Sequence, residues 1–408
     1  MILDPFLRRI IRKGELIITD AQGKTHRFGS PDPDRPGPVH LNFKDRKVPG
    51  EILRKPTLGV PEAYMDGRLD IEGDNILQLI DLFRENTAYE KNVDDGLMRG
   101  EHPLLTKLFR ANSIRRAKRN VAHHYDLSDR LYDLFLDADK QYSCAYFRPE
   151  NEEHNLERAQ LDKKAHIAAK LNLKPGLKVL DIGCGWGGMA LYLNRVADVD
   201  VLGITLSEEQ LKVARRRAEE AGVADRVKFE LIDYRTLTGR FDRIVSVGMF
   251  EHVGVPHYRT YFGKVRELLT EDGCALIHTI GRVSPPSFTD SFTAKYIFPG
   301  GYIPALSEAM AASEREHLIL TDVEVLRLHY AYTLQRWYER TGRAKEEIVK
   351  LYDERFYRMW RFYLAGAMTA FTWGEMVNFQ LQFVRNRRAL PITRDYMIEA
   401  ERELLAKG

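Results

Sequence analysis

From about residue 160, the pattern of apolar and polar positions predicts strands that alternate with helices. Short runs rich in Val, Ile and Leu recur at residues 178–183, 199–205, 227–233, 241–249 and 274–281. Helical spacing fills most of the intervals between these runs. Strands that are buried on both faces have this continuous apolar character. The pattern therefore predicts an α/β fold with a doubly wound, Rossmann-like and mostly parallel sheet.

One helix in this region has signals at both of its ends. Ser207, with Gln210 three residues later, predicts a capping box. Glu208 and Glu209 suit the positive end of the helix dipole, and Gly222 is typical of a helix C-terminus. We therefore expect a helix between residues 207 and 222.

The first 95 residues have the pattern of a small α+β unit. Strand-like runs at 16–19 and 25–28 flank the turn sequence DAQG, which predicts a hairpin. A further strand is predicted at 39–43, and residues 75–83 have the apolar spacing of an amphipathic helix. We expect residues 1–95 to form a separate accessory domain.

The last third of the chain is rich in aromatic residues with helical spacing, at residues 282–340 and 345–405. An aromatic, apolar segment that follows the last predicted strand can cover the carboxyl edge of the sheet. We expect a helical lid insertion at about 282–340, and closing elements after it. The domain that contains the sheet and this lid is expected to span residues 96–408.

The most informative local sequence is KVLDIGCGWGG at residues 178–188. A strand, a glycine turn and a helix N-terminus follow one another there, which is typical of a site for a nucleotide-like ligand. Gly183, Gly185 and Gly188 also satisfy the G-x-G-x-x-G pattern of dinucleotide enzymes, so the motif alone leaves both ligand classes open.

Two details favour S-adenosylmethionine over NAD. Asp181 precedes the first glycine, where its charge opposes a pyrophosphate but suits a cationic amino-acid group. The next strand, at residues 199–205, ends without the acidic residue that a dinucleotide site uses to bind the ribose. The residues of the loop therefore predict S-adenosylmethionine as co-substrate.

Charge in this chain is nearly balanced but unevenly distributed. Charged residues make up 30% of the 408 residues, and the net charge of +3 excludes a general nucleic-acid binder. Residues 104–120 nevertheless contain Lys and Arg interleaved with apolar residues and no acid, and residues 8–13 form a smaller basic cluster. Such segments suit an anionic membrane surface, and they equally suit a solvated helix with a packed underside.

The cysteines and the longest apolar runs predict the compartment of the protein and its relation to the membrane. Cys144, Cys184 and Cys274 have no disulfide or metal-ligand spacing, which predicts a reducing compartment and no metal site. Asp4 and Pro5 interrupt the N-terminal apolar residues, and no long uncharged apolar run follows. We expect a cytoplasmic protein, peripheral on the inner face of the cytoplasmic membrane.

Several further strings, taken in order, resemble the cyclopropane-fatty-acyl-phospholipid synthase family, which includes the mycolic acid cyclopropane synthases. The strings are AHHYDLS, QYSCAYF, VLDIGCGWGG, GITLSEEQ, DYR, FDRIVSVGMFEHVG, HTIG, KYIFPGG and WYER, between about residues 115 and 400. EAYMDG at 62–67 also resembles the accessory domain of bacterial members. The resemblance implies the fold of a class I S-adenosylmethionine-dependent methyltransferase, with residues 1–95 docking on lipid.

The resemblance also implies an activity, namely methylene transfer from S-adenosylmethionine to a cis double bond of an unsaturated phospholipid acyl chain. An isolated alkene is a weak nucleophile, so such an enzyme must align it with the methyl group and exclude water. Methyl transfer leaves a carbocation, and a base must remove a proton to close the ring. The family attributes that base to a bound bicarbonate.

The catalytic positions that the resemblance implies are Cys144, Glu251, His278, Ile280 and Tyr330. Glu251 and His278 are expected to hold and orient the bicarbonate, and Tyr330 is preferred to Tyr332 as a hydrogen-bond donor. Backbone groups of Cys144 and Ile280 would complete the site. Each of these side chains could instead be a buried structural group.

The cofactor positions that the motifs and the resemblance imply are Tyr142, Ser143, Asp181, Gly183, Gly185, Thr205, Leu206, Ser207, Gln210, Asp233 and Tyr234. Tyr142 and Ser143 are expected near the methionine end, and Asp233 and Tyr234 near the adenine. Gln210 is either a capping residue or a cofactor contact. His123 and His124 either line the acyl path or satisfy a core network.

One departure from the family pattern concerns a cysteine. Many members have a cysteine in the C-terminal helix, and FYLAGAMTAF places Ala367 there. Carbocation chemistry requires no thiol, so we interpret that cysteine as dispensable.

Other functions remain open from the sequence. A phospholipid-olefin methyltransferase that leaves a methyl or methylene branch shares the same cation, and an inert lipid-binding homologue shares the same cavity. A small-molecule methyltransferase fits the aromatic lid less well. The resemblance further implies a homodimer. The basic segments predict docking on an anionic bilayer, and the balanced charge predicts no nucleic-acid partner.

Overall fold

The computed structural model describes residues 1–91, 128–149 and 155–407. The basic segment at 104–120 and the two histidines His123 and His124 lie outside the described residues. The helices are α1 (Asp4–Ile10), α2 (Val48–Arg54), α3 (Pro56–Met65), α4 (Ile76–Asn86), α5 (Asp129–Phe135), α6 (Leu156–Lys170), α7 (Gly188–Ala197), α8 (Glu208–Glu220), α9 (Tyr258–Leu268), α10 (Leu306–Arg315), α11 (His329–Arg343), α12 (Lys345–Leu351), α13 (Glu354–Thr372) and α14 (Asp395–Lys407). The strands are β1 (Gly14–Thr19), β2 (Thr25–Ser30), β3 (Val39–Phe43), β4 (Leu69–Ile71), β5 (Lys178–Ile182), β6 (Asp200–Thr205), β7 (Val227–Leu231), β8 (Phe241–Val247), β9 (Leu269–Arg282), β10 (Ile319–Leu326) and β11 (Met376–Val384).

The chain forms two compact units. Of the described residues, the first unit contains 1–91, 290–297 and 334–375, and the second contains the rest. In the first unit, α13 packs against α3 and α4, and the indole nitrogen of Trp373 donates a 2.6 Å hydrogen bond to Asp81. The observed division therefore differs from a division into residues 1–95 and 96–408, because a late helix packs with the N-terminal elements.

The first unit contains the predicted hairpin. Strands β1 and β2 pair antiparallel, and the turn between them is closed by the Asp20 side chain, which accepts from the backbone of Gln22 and Lys24. Strand β3 lies parallel to β1, and β4 completes a sheet of order β2-β1-β3-β4. The helix predicted at 75–83 is confirmed as α4.

The second unit is built on a sheet of order β10-β11-β9-β8-β5-β6-β7. The strands from β9 to β7 in this order are parallel, which confirms the predicted parallel core. Strands β10 and β11 add an antiparallel edge. The prediction of helical spacing at 282–340 and 345–405 was wrong in these two places, because both segments alternate apolar and polar residues with period two.

Both faces of this sheet are covered by apolar side chains. Val179 points into the cluster formed with α6, α7 and α8, while its neighbour Leu180 points into the cluster formed with α9 and α10. Leu276 and Ile277 on β9 divide in the same way. Because neither face is open, a ligand is expected at the carboxyl ends of the strands.

The state of the cysteines and the character of the helices can be compared with the sequence-based predictions. Cys144, Cys184 and Cys274 are free thiols and are buried. In the described ranges, no helix combines the length and apolar character that crossing a membrane requires.

Candidate active site

A cavity opens in the second unit at the carboxyl ends of β5, β6, β7 and β8. It is lined by every predicted cofactor residue except Ser207, namely Tyr142, Ser143, Asp181, Gly183, Gly185, Thr205, Leu206, Gln210, Asp233 and Tyr234. Ser207 instead caps the N-terminus of helix α8, where its hydroxyl accepts from the backbone of Gln210. The structure thus brings the residues of four separate strand ends to one cavity.

The glycine loop owes its shape to backbone conformations that only glycine adopts readily. Gly183 has φ of +82° and Gly187 has φ of +86°. The backbone N–H groups of Gly183 and Cys184 both donate to the carbonyl oxygen of Ile204, at 2.9 and 3.0 Å. These bonds fix the turn between β5 and α7 against the end of β6.

Asp181 is a buried carboxylate at the cavity wall. Its Oδ2 atom has no hydrogen-bond partner among the described residues. Burial raises the pKa of Asp181 to about 7, although the positive charge of Lys163 acts in the opposite direction. A cationic ligand group would form an ion pair with this oxygen. The ammonium group of S-adenosylmethionine is a group of this kind.

The residues after β6 form a small hydrogen-bond network. Thr205 Oγ1 donates to Gln210 Oε1 at 3.2 Å and accepts from the backbone of Ser207 at 3.1 Å. The predicted capping box is therefore half correct, because the Gln210 side chain bonds Thr205 rather than the backbone of Ser207. Gln210 also lines the cavity, so both roles considered for it coexist.

Asp233 lies at the end of β7 and is held by Arg235. Its Oδ1 accepts from the backbone and from Nε of Arg235, at 3.0 and 2.9 Å. Its Oδ2 accepts from the same guanidinium at 2.7 Å. Carboxylate oxygens can accept more than one hydrogen bond, so Asp233 can still bind a ligand donor.

Glu251 follows β8 in the 3₁₀ turn Phe250–His252 and is buried. Its Oε1 accepts from the backbone N–H of Ile280 on β9 at 2.7 Å. Its Oε2 has no partner within the described part of the chain. Burial raises the pKa of Glu251 to about 7. In sequence, Glu251 lies between Met249 and His252, which both line the cavity.

His278 is buried on β9 and is surrounded by amides. The amide nitrogens of Asn378 and Gln380 lie 3.0 Å from its Nε2 and 3.2 Å from its Nδ1. Burial, together with the charges of Lys163 and Lys170, lowers the pKa of His278 well below its ordinary value. The ring is therefore neutral, with one nitrogen that accepts and one that carries a proton. Because amide N–H groups only donate, only one of these two contacts is a hydrogen bond to the ring.

Cys144 and Tyr330 belong to two segments that are joined by hydrogen bonds. The backbone N–H of Ala145 donates to Thr333 Oγ1 at 3.0 Å, and that of Phe147 donates to His329 Nδ1 at 2.9 Å. Tyr330 is buried in the first turn of α11 and lies in sequence between His329 and Thr333. Burial raises the pKa of the Cys144 thiol, so a thiolate nucleophile is disfavoured.

The five catalytic candidates do not line the cavity itself. The structure joins Glu251 directly to Ile280, and places His278 two residues earlier on the same strand. Ala367 lies on α13, in the first unit. No group of three or more His, Cys, Asp or Glu residues in the described ranges is arranged to hold a metal ion.

Sequence reasoning missed several residues of this region. Arg235 and His252 line the cavity and stand inside the strings DYR and FEHVG, which were signals for them. Asn378 and Gln380 belong to an alternating strand sequence, MVNFQLQFV, that gave a signal for β11. Lys163 contacts the cavity wall from α6, and nothing in its local sequence distinguishes it from a surface lysine.

Comparisons with known proteins agree with these features. The family model of mycolic acid cyclopropane synthetase matches residues 112–381. A cyclopropane-fatty-acyl-phospholipid synthase of Escherichia coli (strain K12) is 40% identical over 353 residues, which cover 85% of this chain and 88% of that protein. A Pseudomonas putida protein named probable fatty acid methyltransferase is 38% identical over 374 residues, 88% of this chain and 91% of its own length.

A solved structure of the same family is also similar to this chain. A crystal structure of the mycolic acid cyclopropane synthase CmaA1 complexed with SAH and CTAB is similar, with a TM-score of 0.62 and 34% identity. The match covers 65% of this chain and 97% of that chain.

Proposed function

The chain belongs to the mycolic acid cyclopropane synthetase family, and we propose that it forms cyclopropane rings in the unsaturated acyl chains of phospholipids. It is an S-adenosylmethionine-dependent methyltransferase with an α/β fold. The phospholipid substrate is supported by the name of the Escherichia coli relative, which aligns over most of both chains.

The observation that carries the proposal is the unpaired, buried Oε2 of Glu251, a residue that is flanked in sequence by the cavity residues Met249 and His252. S-adenosylmethionine, held by residues of the cofactor cavity, would supply the methyl group, and a bicarbonate held by Glu251 would supply the base for the proton that the carbocation loses. Glu251 Oε2 can accept the hydroxyl proton of a bicarbonate and so orient it. Exclusion of water from the site would prevent hydration of the cation, which is the reaction that competes with this proton transfer.

The other catalytic candidates take supporting roles in this proposal. Ile280 holds Glu251 through its backbone N–H. Amide nitrogens of β11 contact both ring nitrogens of the neutral His278, so Glu251 carries the anion-binding role. Tyr330 is proposed as a hydrogen-bond donor to the same anion, and Cys144 as a neutral wall residue.

Branch formation is the second candidate for this chain. The Pseudomonas putida relative is named a probable fatty acid methyltransferase. A methylene branch would require a 1,2-hydride shift in the same cation before a proton of the methyl group is lost, and a methyl branch would require that the cation gain a hydride. A reductant would be needed for the methyl branch, and no residue of the described cavity supplies one.

Analysis of membrane lipids distinguishes these outcomes. The chain is expressed in cells that contain unsaturated phospholipids, and the acyl chains are analysed by mass spectrometry with localisation of double bonds. We expect a gain of one CH₂ with loss of the double bond's reactivity, which identifies a ring. A gain with an exocyclic or displaced double bond would identify a methylene branch, and unchanged lipids would contradict the proposal.

The raised pKa of Glu251 predicts a pH dependence of stability. The folded protein holds the Glu251 proton up to about pH 7, whereas the unfolded chain releases it near pH 4.5. The contribution of Glu251 to the free energy of unfolding should therefore fall between these two pH values, by on the order of 3 kcal/mol. Asp181 acts in the same direction, and the neutral His278 in the opposite direction.

A comparison of Glu251→Gln with the wild type isolates the contribution of Glu251 to the pH dependence of stability. Urea denaturation at several pH values between 4.5 and 8 should show a smaller decline for Glu251→Gln than for the wild type. Glu209→Gln, on the exposed surface of α8, serves as the matched control and should follow the wild-type curve. Parallel curves for all three proteins would show that Glu251 is ionised in the fold.

We further propose that the protein is a homodimer in the cytoplasm, peripheral on the inner face of the cytoplasmic membrane, and that it docks on anionic bilayers. The basic sequence at 104–120 supports this, as do Arg8 and Arg9, which are exposed at the end of α1. A bilayer places its olefins below the headgroups, so two membrane-bound subunits would increase residence time by avidity.

Neutralising Arg115, Arg116, Lys118 and Arg119 to glutamine should weaken binding to anionic vesicles up to about 10³-fold at low salt, since each of the four charges contributes about 1 kcal/mol. Sedimentation of vesicles with and without phosphatidylglycerol measures the effect at two salt concentrations. Lys212→Gln with Arg216→Gln, exposed on α8, is the control. Equal binding by the quadruple variant and the wild type would place the docking surface elsewhere.

A further inference from the structure

Lys163 on helix α6 is a fully buried lysine whose ammonium group contacts the cavity wall. Its Nζ donates to Gln141 Oε1 at 2.7 Å and to Ser143 Oγ at 2.8 Å. Gln141 and Ser143 both line the cavity. A buried charge is costly unless it is paired or used, so its position against two site residues requires a reason.

The same helix also holds the backbone of this wall. Gln160 lies one turn before Lys163, and its amide nitrogen donates to the carbonyl oxygens of Gln141 and Ser143 at 3.1 and 3.0 Å. Gln160 therefore fixes the course of the chain around Tyr142. The additional bonds from Lys163 fix side-chain orientation, which the backbone bonds leave free.

The hydrogen-bond chemistry of an ammonium group decides what Ser143 can do. A lysine ammonium has three donors and no acceptor, so Ser143 Oγ must be the acceptor in their contact. The hydroxyl proton of Ser143 is then directed away from Lys163. Ser143 is thereby prepared to donate to an acceptor in the cavity.

Charges of both signs meet at this part of the cavity. Asp181 presents an unpaired carboxylate oxygen, and the charge of Lys163 acts on that carboxyl group electrostatically. An amino-acid group carries an ammonium and a carboxylate side by side. Asp181 can accept from the ammonium, while the Ser143 hydroxyl donates to the carboxylate with the Lys163 charge behind it.

We propose that Lys163 is a positioning residue for the amino-acid end of S-adenosylmethionine, acting through the Ser143 hydroxyl on the α-carboxylate. The inference rests on the proposed placement of the methionine end beside Ser143 and Asp181. It is independent of the lipid product, because binding of the cofactor alone reports on it. Burial lowers the pKa of Lys163 to about 8, which leaves the group largely protonated at neutral pH.

The test compares two ligands in one variant. S-adenosylhomocysteine contains the amino-acid end, whereas methylthioadenosine keeps the adenosine and the thioether but lacks it. In Lys163→Met, calorimetry should show affinity for S-adenosylhomocysteine reduced roughly 10- to 100-fold, and affinity for methylthioadenosine unchanged. A merely structural lysine would weaken both ligands equally or neither, and either result would overturn the proposal.

Lys170→Met is the matched control. Lys170 is also buried on α6, but it pairs with Glu324 and Asp322 rather than with the cavity wall. Its removal should lower the melting temperature and leave the ratio of the two affinities unchanged. A ratio altered as much as in Lys163→Met would show that any buried charge on α6 has this effect, which overturns the specific role.

Two further variants keep the proposal open to refutation if Lys163→Met is unstable. Ser143→Ala should reproduce the selective loss, since Lys163 acts through that hydroxyl, and an unchanged ratio would overturn the proposal. Lys163→Gln retains a donor without the charge and should give an intermediate ratio. Failure of both Lys163 variants to fold would assign the residue to stability instead and would equally overturn the positioning role.

Discussion

Replacing Glu251 by glutamine is expected to lower the turnover number about 10²- to 10⁴-fold, the usual contribution of a positioned acid–base group. The melting temperature should change little. Glutamine preserves the shape of the side chain, and its Oε1 can still accept from the backbone N–H of Ile280. Its amide group, however, places a donor where the free carboxylate oxygen accepts.

The measurement combines kinetics on unsaturated phospholipid vesicles with thermal melting and calorimetry of S-adenosylmethionine binding. Cofactor affinity should be retained, because Glu251 itself does not line the cofactor cavity. Glu209→Gln, exposed on α8, should match the wild type in all three measurements. A collapse of the melting temperature, with full activity in the remaining folded enzyme, would make Glu251 a structural residue.

Bicarbonate dependence separates the proposed anion site from other acid–base roles. The wild-type enzyme, degassed and assayed in a buffer free of carbonate, should gain activity when bicarbonate is added. Glu251→Gln should gain little, because it lacks the acceptor that orients the anion. Wild-type activity that is indifferent to bicarbonate would remove the anion from the mechanism, while leaving the cofactor assignment untouched.

The parallel core and the cofactor cavity were predictable because their signals are local. Each of the five parallel strands contains several Val, Ile, Leu or Phe residues within a short segment, and the glycine loop lies directly after β5. Once parallel strands are recognised, their carboxyl ends must meet at one edge. Asp181, Thr205 and Asp233 therefore had to approach one another even though they are far apart in sequence.

The partners of the buried polar groups were not predictable in this way. His278 is held by Asn378 and Gln380, which are a hundred residues away on a strand whose helical interpretation was wrong. Lys163 becomes informative only when α6 is placed against Ser143. Sequence periodicity reports which face of an element is buried, but not which neighbour a buried polar atom meets.

The unit boundaries have a consequence for experiments on membrane docking. Helix α13 packs on α3 and α4 within the first unit, so removing residues 1–95 would expose the apolar side of α13. Loss of activity in such a truncation would report misfolding as well as loss of docking. Charge substitutions on the intact chain avoid this ambiguity.

The Gly183→Val substitution is expected to reduce S-adenosylmethionine affinity more than about 100-fold, or about 2.7 kcal/mol. Gly183 has φ of +82°, which a β-branched residue tolerates poorly. A side chain there would also meet Cβ and Cγ of Met249, at 3.0 and 3.1 Å from the added carbon. Because Met249 lines the cavity, the clash should displace Met249 or the glycine loop into the space that the ligand occupies.

Gly222→Val separates loss of binding from general backbone strain. Gly222 has φ of +68° at the end of α8, and an added carbon there meets no atom within 4 Å. Its valine variant should carry a comparable strain of about 1–3 kcal/mol and yet bind S-adenosylmethionine normally. Calorimetry and thermal melting of both variants decide the matter. Unchanged affinity in a folded Gly183→Val protein would remove the glycine loop from the cofactor site, because the substitution must displace either the loop or Met249.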